Sequence, residues 1–357
     1  MEIRINDRFR TRVIKFFDGF KINLKYDAIA STFAFKYFFD PNNAEHKEFS
    51  CIGHYHLCEL RHNNETLITG QILSIAFNSS NEKQMASIGG YSLPGILEDC
   101  EMPIDQTNPT PLIATNLNLE EIVQKVCKPF GIGYVIDPIV KAEMNESYVE
   151  STIKPSQNIK SYLSELCSQK NIVISNNNKG QLVFTRIPVS PTSIATLTTA
   201  VPVTSMSLSF NGQAMHSHIK VVAQADVDSI NGDEFEVRNP YVINTVYRPK
   251  IVVQSSKSVI QDVQQSAKNI RAQELKNLKL IIKLDRWEIN GKIIRPGNQI
   301  SVINPEIYLY KKSNWIIEEV ELEGDAEKLT STLTCVLPEV YNNQDPIYLF
   351  KGINTHA

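Results

Sequence analysis

Cys51, His54, His56, Cys58 and His62 form the densest run of metal-ligating side chains in this sequence. Thiolate sulfur and imidazole nitrogen are the usual ligands of structural zinc. Zinc fingers, however, pair C-x₂₋₄-C with H-x₃₋₅-H on separate elements, and here the histidines fall among and after the cysteines. If His54 to Leu60 is a strand, His54, His56 and Cys58 point to one face, so a ladder of ligands is geometrically conceivable. We read the stretch as a polar strand face and expect no metal. His216 and His218 alternate in the same way, with no third ligand near them.

Other chemistry lacks its minimum parts. There is no GxxxxGK[ST], and Gly131-x-Gly133 lacks a third glycine and follows a helix instead of opening one. No G-x-S-x-G and no H-E-x-x-H occurs. Glu318-Glu319 and Glu98-Asp99 are sequence neighbours, so on strands they face opposite ways and cannot share a substrate. Lys268, Arg271, Lys276 and Lys279 could touch nucleic acid, but Asp262 and Glu274 lie among them, and an ordinary exposed face is expected. The sequence therefore predicts no catalytic residue, no cofactor site and no enzyme.

Composition agrees. The 357 residues suggest two to four domains, and 42% hydrophobic with 21% charged residues is normal for a folded, soluble protein. A net charge of −3 argues against a generic grip on nucleic acid. No apolar run approaches the roughly 20 residues that span a bilayer, and MEIRINDRFRTRVIKFF has no uninterrupted signal core, so membrane insertion is not expected. The 6 cysteines, Cys51, Cys58, Cys100, Cys127, Cys167 and Cys335, form no CxxC and read as reduced, mostly buried thiols.

The elements that must position these residues begin as β-structure. Phe20 to Tyr26 alternates apolar and polar, Thr32 to Phe39 is aromatic-rich, and His54 to Leu60 and Thr66 to Ile75 follow. Met85 to Ile88 reads as a short strand ending in a bend at Gly89 and Gly90. Tyr91, Ser92, a Pro94-Gly95 break and then Leu97, Asp99 and Cys100 follow. We expect Leu97 and Cys100 to pack against the first β-unit. Residues 101–116 hold three prolines and read as a linker.

Asn118 and Glu121 form a capping-box pattern ahead of Leu119, Ile122, Val123 and Val126, spaced as one helix face. Pro129 and Gly131 end the helix, and Gly133 to Ile136 reads as a strand. One constant shift maps Leu119 onto Ile159, Cys127 onto Cys167 and Ile132 onto Ile172, which predicts a duplicated helix-then-strand unit with Ser156 at the second start. Strands at Asn171 to Ile174 and Gln181 to Arg186 flank an Asn176–Gly180 turn. Residues 187–204 read as a second linker or an extended crossing. Strands then resume, with one clear helix at Ser258 to Leu278 carrying Val263, Ala267 and Ile270 on its apolar face.

Four stations in order resemble the Mu-type baseplate hub family of contractile phages (the 43 kDa tail protein or late control D family), related to the hub of T-even phages and to the hub part of VgrG. They are Thr66–Gly70; Gly90-Tyr91-Ser92 through Leu97-Glu98-Asp99-Cys100; Leu119 to Ile132 continuing to Gly180–Arg186; and Ile294-Arg295-Pro296-Gly297 with Trp315–Val320 and Thr334–Pro338. Tyr91 stands where an Arg is commoner, and Arg295 where a Trp is expected.

The resemblance implies an α+β, mainly β chain: a tube-protein-like antiparallel β-barrel at 1–110, a small α+β domain at 111–190, and a second barrel at 191–357 with a helical insertion near 258–278. It implies a homotrimer adapting a hexameric tail tube to a central trimeric spike, alongside other baseplate proteins, in the virion tail after assembly in the host cytoplasm. Its lumen would pass DNA without specific nucleic-acid binding. A receptor- or carbohydrate-binding tail protein is the alternative, but it would cluster aromatics on loops, whereas Phe33, Phe35 and Tyr37 lie in a strand. A cell-wall-degrading hydrolase would need an inserted domain, for which no segment has room.

Overall fold

The computed structural model describes residues 1–6, 11–15, 17–80, 84–103, 113–154, 156–223, 234–253, 260–325 and 327–351. Alternation decides its main sheet. In Gly19–Lys25 and Thr32–Phe38 every second side chain is buried, so Phe20, Ile22, Leu24, Phe33, Phe35 and Tyr37 enter one core. The two strands pair antiparallel with Ile22 opposite Phe33. Beyond them come Gln84–Ser92, Glu65–Ser79, Leu57–His62, Glu2–Asn6 and Thr11–Ile14, in that order.

On its other side Gly19–Lys25 pairs with Leu309–Gly324, placing Leu24 opposite Val320 and Ile22 opposite Leu322. Leu329–Val336, Leu278–Leu284 and Val203–Phe210 continue the sheet. This junction corrects one expectation. The strand sets from the two ends of the chain are not two separate closed barrels but parts of one continuous 13-stranded sheet. The physical reason is that one apolar face runs unbroken across the junction, into a core that also holds both tryptophans, Trp287 and Trp315.

Three local expectations also change. Gly89 and Gly90 do not bend the chain; the strand runs through them to Ser92. A Cβ at Gly90 would stand 1.9 Å from the Gln71 carbonyl oxygen, and one at Gly89 2.7 Å from Ser74 Oγ. The glycines serve close strand approach beside the register shift between Ile72 and Ser74. The supposed linker at 187–204 contains the strand Ser193–Leu197, which pairs parallel with Gln299–Asn304. The expected linker at 101–116 likewise ends in a strand, Ile113–Asn118, while residues 104–112 lie outside the described set.

A second core gathers Leu97, Leu119, Ile122, Val126, Ile159, Leu163, Leu166, Leu182 and Phe184. The capping box is present: Asn118 Oδ1 accepts from the Glu121 amide at 2.9 Å, and Glu121 Oε2 accepts from the Asn118 amide at 2.9 Å. The duplicated unit has matching backbone closure, with the Ile132 amide donating to the Cys127 carbonyl at 3.3 Å and the Ile172 amide to Cys167 at 2.9 Å. Its second helix, Ile159–Gln169, is capped by Asn158 rather than begun at Ser156. Each helix is preceded by a strand, Ile113–Asn118 or Ser147–Thr152, and these pair with each other. Leu97 joins this core and not the main-sheet core, which corrects its expected packing partner.

A third, smaller core sets the helix Ile260–Leu275 on the strands His218–Val222, Glu234–Arg238 and Pro249–Val253, through Val263 and Ala267 against Ile219, Val221 and Val237. Residues 254–259, where the sequence places the start of this helix, lie outside the described set.

Candidate functional site

The metal-ligating stretch does not converge. Its strand begins only at Leu57, and Gly53 (φ 82°) and Tyr55 (φ 49°) turn the chain before it. His56 Nε2 lies 3.2 Å from the Glu48 carbonyl, and Cys51 Sγ lies 3.2 Å from His54 Nε2. Cys58 is buried in the main core, and burial pushes its thiol up to about 12. His62 sits against the Trp287 ring at 4.9 Å. Among the described residues no three His, Cys, Asp or Glu side chains are grouped to hold a metal ion.

The basic helix is spoken for as well. Arg271 is buried and pairs with Asp345, with a further bond to the Arg238 carbonyl at 3.2 Å. Glu274, also buried, lies 2.7 Å from His216 Nδ1 and 3.1 Å from Lys250 Nζ. The ordinary exposed face expected here is thus an inward-facing ion network at these positions. His218 Nδ1 lies 2.9 Å from Ser217 Oγ.

What the structure does build is a polar seam between the main sheet and the helical core. The Ser92 amide donates to the Ser31 carbonyl at 2.8 Å, and the Ser31 amide donates to Ser92 Oγ at 3.0 Å. Asn176 Oδ1 accepts from Ser31 Oγ at 2.9 Å and from Ser92 Oγ at 3.3 Å, while its Nδ2 donates to the Ala28 carbonyl at 2.9 Å. Beside it Thr69 Oγ1 donates to the Asn178 carbonyl at 2.7 Å, and Asn178 Nδ2 donates to the Thr66 carbonyl at 3.1 Å. Buried Ser31 and Ser92 and half-buried Asn176 and Asn178, bonded on several sides, favour one orientation of the two units.

Tyr91, Ser92, Asp99 and Cys100 lie along or beside this seam. Tyr91 donates to Asp99 Oδ2 at 2.6 Å, and its ring covers Gly95, where a Cβ would meet it at 2.4 Å. Burial, then Asp99, raise the Tyr91 phenol above its ordinary range. The Cys100 carbonyl accepts from the Ile159 amide at 3.3 Å, tying the end of the motif to the second helix. Arg295 reaches the Glu65 carboxylate and the Thr66 carbonyl, so the residue standing in place of a Trp pins the loop before Pro296 to the seam. Gly297 (φ 83°) packs under the Tyr26 ring, 2.9 Å from where a Cβ would sit. Trp315 is fully buried, with Nε1 donating to Ser313 Oγ at 2.9 Å.

Sequence reasoning missed a second junction. Lys276 Nζ lies 2.6 Å from Asp27 Oδ2 and 3.0 Å from Glu318 Oε1, and 5.0 Å from the centre of the Tyr341 ring. Tyr341 donates to Glu318 Oε1 at 2.5 Å. Burial alone would lower the Lys276 pKa; the two carboxylates outweigh it and the ammonium ends above its ordinary value. No local pattern announces this cluster, because its members come from four distant segments. A cleft of about 310 Å³ opens beside it, lined by Asp27, Lys160, Asn171, Gln273 and Tyr341 among others.

These junctions frame the comparisons with known proteins. Residues 95–186 match the family described as baseplate hub protein gp44-like, second domain. The baseplate hub protein gp44 of Escherichia phage Mu is 22% identical over 273 residues, covering 71% of this chain and 69% of that protein. Among solved structures, the 43 kDa tail protein of prophage MuSo2 from Shewanella oneidensis superposes with a TM-score of 0.79 at 18% identity, over 96% of this chain and 100% of that one. A tail protein from Neisseria meningitidis gives 0.76 at 18% identity, over 95% and 97%. An Escherichia coli component of the type VI secretion system gives 0.57 at 11% identity, over 98% and 80%. The structural likenesses establish the fold. The sequence matches agree with it: residues 95–186 match the gp44-like baseplate hub second domain, and the chain is similar over most of its length to the baseplate hub protein of phage Mu.

Proposed function

We propose that the chain is a structural baseplate hub of a contractile phage or prophage tail, a homotrimer adapting a sixfold tail tube to a threefold central spike. It has no catalytic role in this reading. The observation that carries the proposal is the pairing of Phe20–Lys25 with Phe-free, glutamate-rich Glu319–Gly324, which joins the two strand sets into one sheet. Three copies of a chain holding two tube-like units at a fixed angle present six units to a tube. Such a ring is built from heterologous contacts that close at three. The tail tube protein, the spike and other baseplate proteins are its partners, and it assembles in the host cytoplasm before entering the virion. The division into units near 1–110, 111–190 and 191–357 belongs to the same proposal.

Light scattering after size exclusion tests it: a trimer has three times the 40.3 kDa chain mass. A stable monomer at high concentration refutes it. A threefold ring with a central hole in negative stain is the expected image. One observation favours a second reading, receptor or carbohydrate contact. The exposed Tyr308, Tyr310 and Tyr348 meet one another or the half-buried Phe350 edge-on or tilted, at 5.5–5.6 Å between ring centres. In that reading Tyr310→Ala abolishes binding to host cells without changing the oligomeric state.

A further inference from the structure

The unit built on the third core hangs from the main sheet at one point. Val203–Phe210 and Leu278–Leu284 pair as far as Phe210 opposite Leu278, and residues 211–277 are inserted between them. The two chains of this neck lie side by side, with the Asn211 amide donating to the Asn277 carbonyl at 3.0 Å. A unit that is entered and left at the same place has the geometry of a hinged body. Its angle to the sheet must be fixed elsewhere.

Much of that task falls to the segment after the last strand. The strand Leu329–Val336 ends on the main sheet, and residues 341–351 then run without helix or strand across the unit. Asn343 and Gln265 exchange amide hydrogen bonds at 2.9 and 3.1 Å. Asp345 pairs with Arg271. Tyr241 is held twice, donating to the Ile347 carbonyl at 3.1 Å and accepting from the Leu349 amide at 3.2 Å, and its ring lies 5.4 Å from that of Tyr348. Phe350 then lies 5.6 Å from Tyr308, and Lys311 Nζ lies 3.5 Å from the Lys351 carbonyl, beside Leu309–Gly324 of the main sheet. The segment starts on the sheet, crosses the unit and ends on the sheet. Elsewhere Lys276 braces the neck itself, and Asn269 donates to the Ser168 carbonyl.

The crossing is shallow. Asp345 is 75% exposed, Ile347 and Tyr348 are exposed as well, and a cleft of about 580 Å³ runs beside them, lined by Val189, Pro191, Gln299 and Tyr348 among others. Arg271 is the deep contact, with its side chain only 8% exposed. Lifting Asp345 while the unit stayed in place would orphan a buried guanidinium, a far larger cost than losing an exposed pair. Release of the segment and movement of the unit are therefore coupled.

We propose that residues 343–350 are a clasp that holds the third unit at one angle to the main sheet, and that opening it lets the unit swing about the neck at Asn211 and Asn277. The unit moves as a body, because Val263 and Ala267 pack on Ile219, Val221 and Val237 within it. The clasp belongs to a single chain, so it stands whether or not three chains form a ring.

Spin labels on the full chain read the angle. One is attached at Ile251→Cys, exposed on the unit, and one at Lys36→Cys, on the main sheet. The background is Cys51→Ser/Cys100→Ser, since these two thiols are partly exposed and the other four are buried. Labelled chain is diluted with excess unlabelled chain, so that distances within one chain are read. The intact clasp gives one narrow distance. Tyr348→Ala/Phe350→Ala removes the ring contacts, raises the open-to-closed ratio roughly 10- to 100-fold, and gives a second or broadened distance. Hydrogen exchange of the helix Ile260–Leu275 is followed in parallel.

A changed distance with the helix amides still protected supports the proposal. An unchanged narrow distance overturns the clasp. Helix amides that exchange freely overturn the swinging body, because the segment is then part of what keeps the unit folded. If the ring variant does not fold, Asn343→Ala/Asp345→Ala, changed at half-buried and exposed positions, decides by the same criteria.

Discussion

Lys276→Met is the substitution that most directly tests how the chain is held together. The ammonium neutralises two carboxylates, at 2.6 Å from Asp27 and 3.0 Å from Glu318, with Lys276 21% exposed and its partners 32% and 18% exposed. Removing the cation leaves two like charges facing each other in a partly dry junction. Breaking a buried pair by deleting one partner costs about 3–5 kcal/mol. Residual hydration of Asp27 places this case at the lower end, about 3 kcal/mol. Both tryptophans sit in the main core, so their fluorescence during urea unfolding reports on the sheet this cluster braces. With a slope near 3 kcal/mol/M, the midpoint falls by about 1 M. The triple variant Lys276→Met/Asp27→Asn/Glu318→Gln removes all three charges and recovers most of the loss, because replacing a whole ion cluster costs far less than orphaning part of it. A loss under 1 kcal/mol in the single variant, or no recovery in the triple, refutes the reasoning.

Two further outcomes follow from the same structure. Gly90→Ala places a methyl 1.9 Å from the Gln71 carbonyl oxygen and 2.7 Å from Phe33 Cζ, and a paired backbone cannot yield as a side chain can. It destabilises by about 3 kcal/mol or more, whereas Gly133→Ala, facing only the flexible Gln181 side chain at 3.3 Å, costs under about 1 kcal/mol; paired urea midpoints check this. For pH, burial pushes the Cys58 and Cys127 thiols from 9.0 up to about 12. A raised folded pKa gives stability that is whole below the unfolded value and lost as pH climbs towards the folded one. Burial and the neighbouring carboxylates raise Tyr341 in the same direction. The urea midpoint therefore falls between pH 9 and pH 12, and a midpoint that rises over that range contradicts the assignment.

How much of this was legible in the sequence depended on the distance over which each feature is encoded. The helix after Asn118 is specified within four residues by its cap and apolar spacing, and it stands where the sequence places it. Phe20 to Tyr26 and Thr32 to Phe39 alternate cleanly and form strands within a residue of the expected limits. Gly89 and Gly90 were misread because a glycine pair signals a bend and a close strand approach equally well. Only the partner strand, with its Gln71 carbonyl, distinguishes them. The strands Ser193–Leu197 and Ile113–Asn118 hid in Pro- and Thr-rich sequence, since sheet pairing can override weak local preference. The His54–Cys58 ladder failed for a conformational reason: it required extended backbone at Tyr55, which instead has a φ of 49°. The Lys276 cluster and the Asn176 seam were illegible because each is assembled from segments far apart in the chain.

The pairing of Phe20–Lys25 with Glu319–Gly324 also sets the order in which this protein can be made. Phe20–Lys25 leaves the ribosome long before Glu319–Gly324, its neighbour on that side. The helical core of Leu97 to Phe184 has all its strands and helices in hand long before then. During synthesis the first strand set therefore carries an open edge while the middle of the chain folds. At the cell's rate of roughly 5–20 residues per second, that edge stays unpaired for about 15–60 seconds. Lys21 and Lys25 lie along that strand and Lys36 along its neighbour, and charge on a waiting edge is how sheets deter the wrong partner. The lysines that later sit in cross-strand pairs thus guard the nascent chain first.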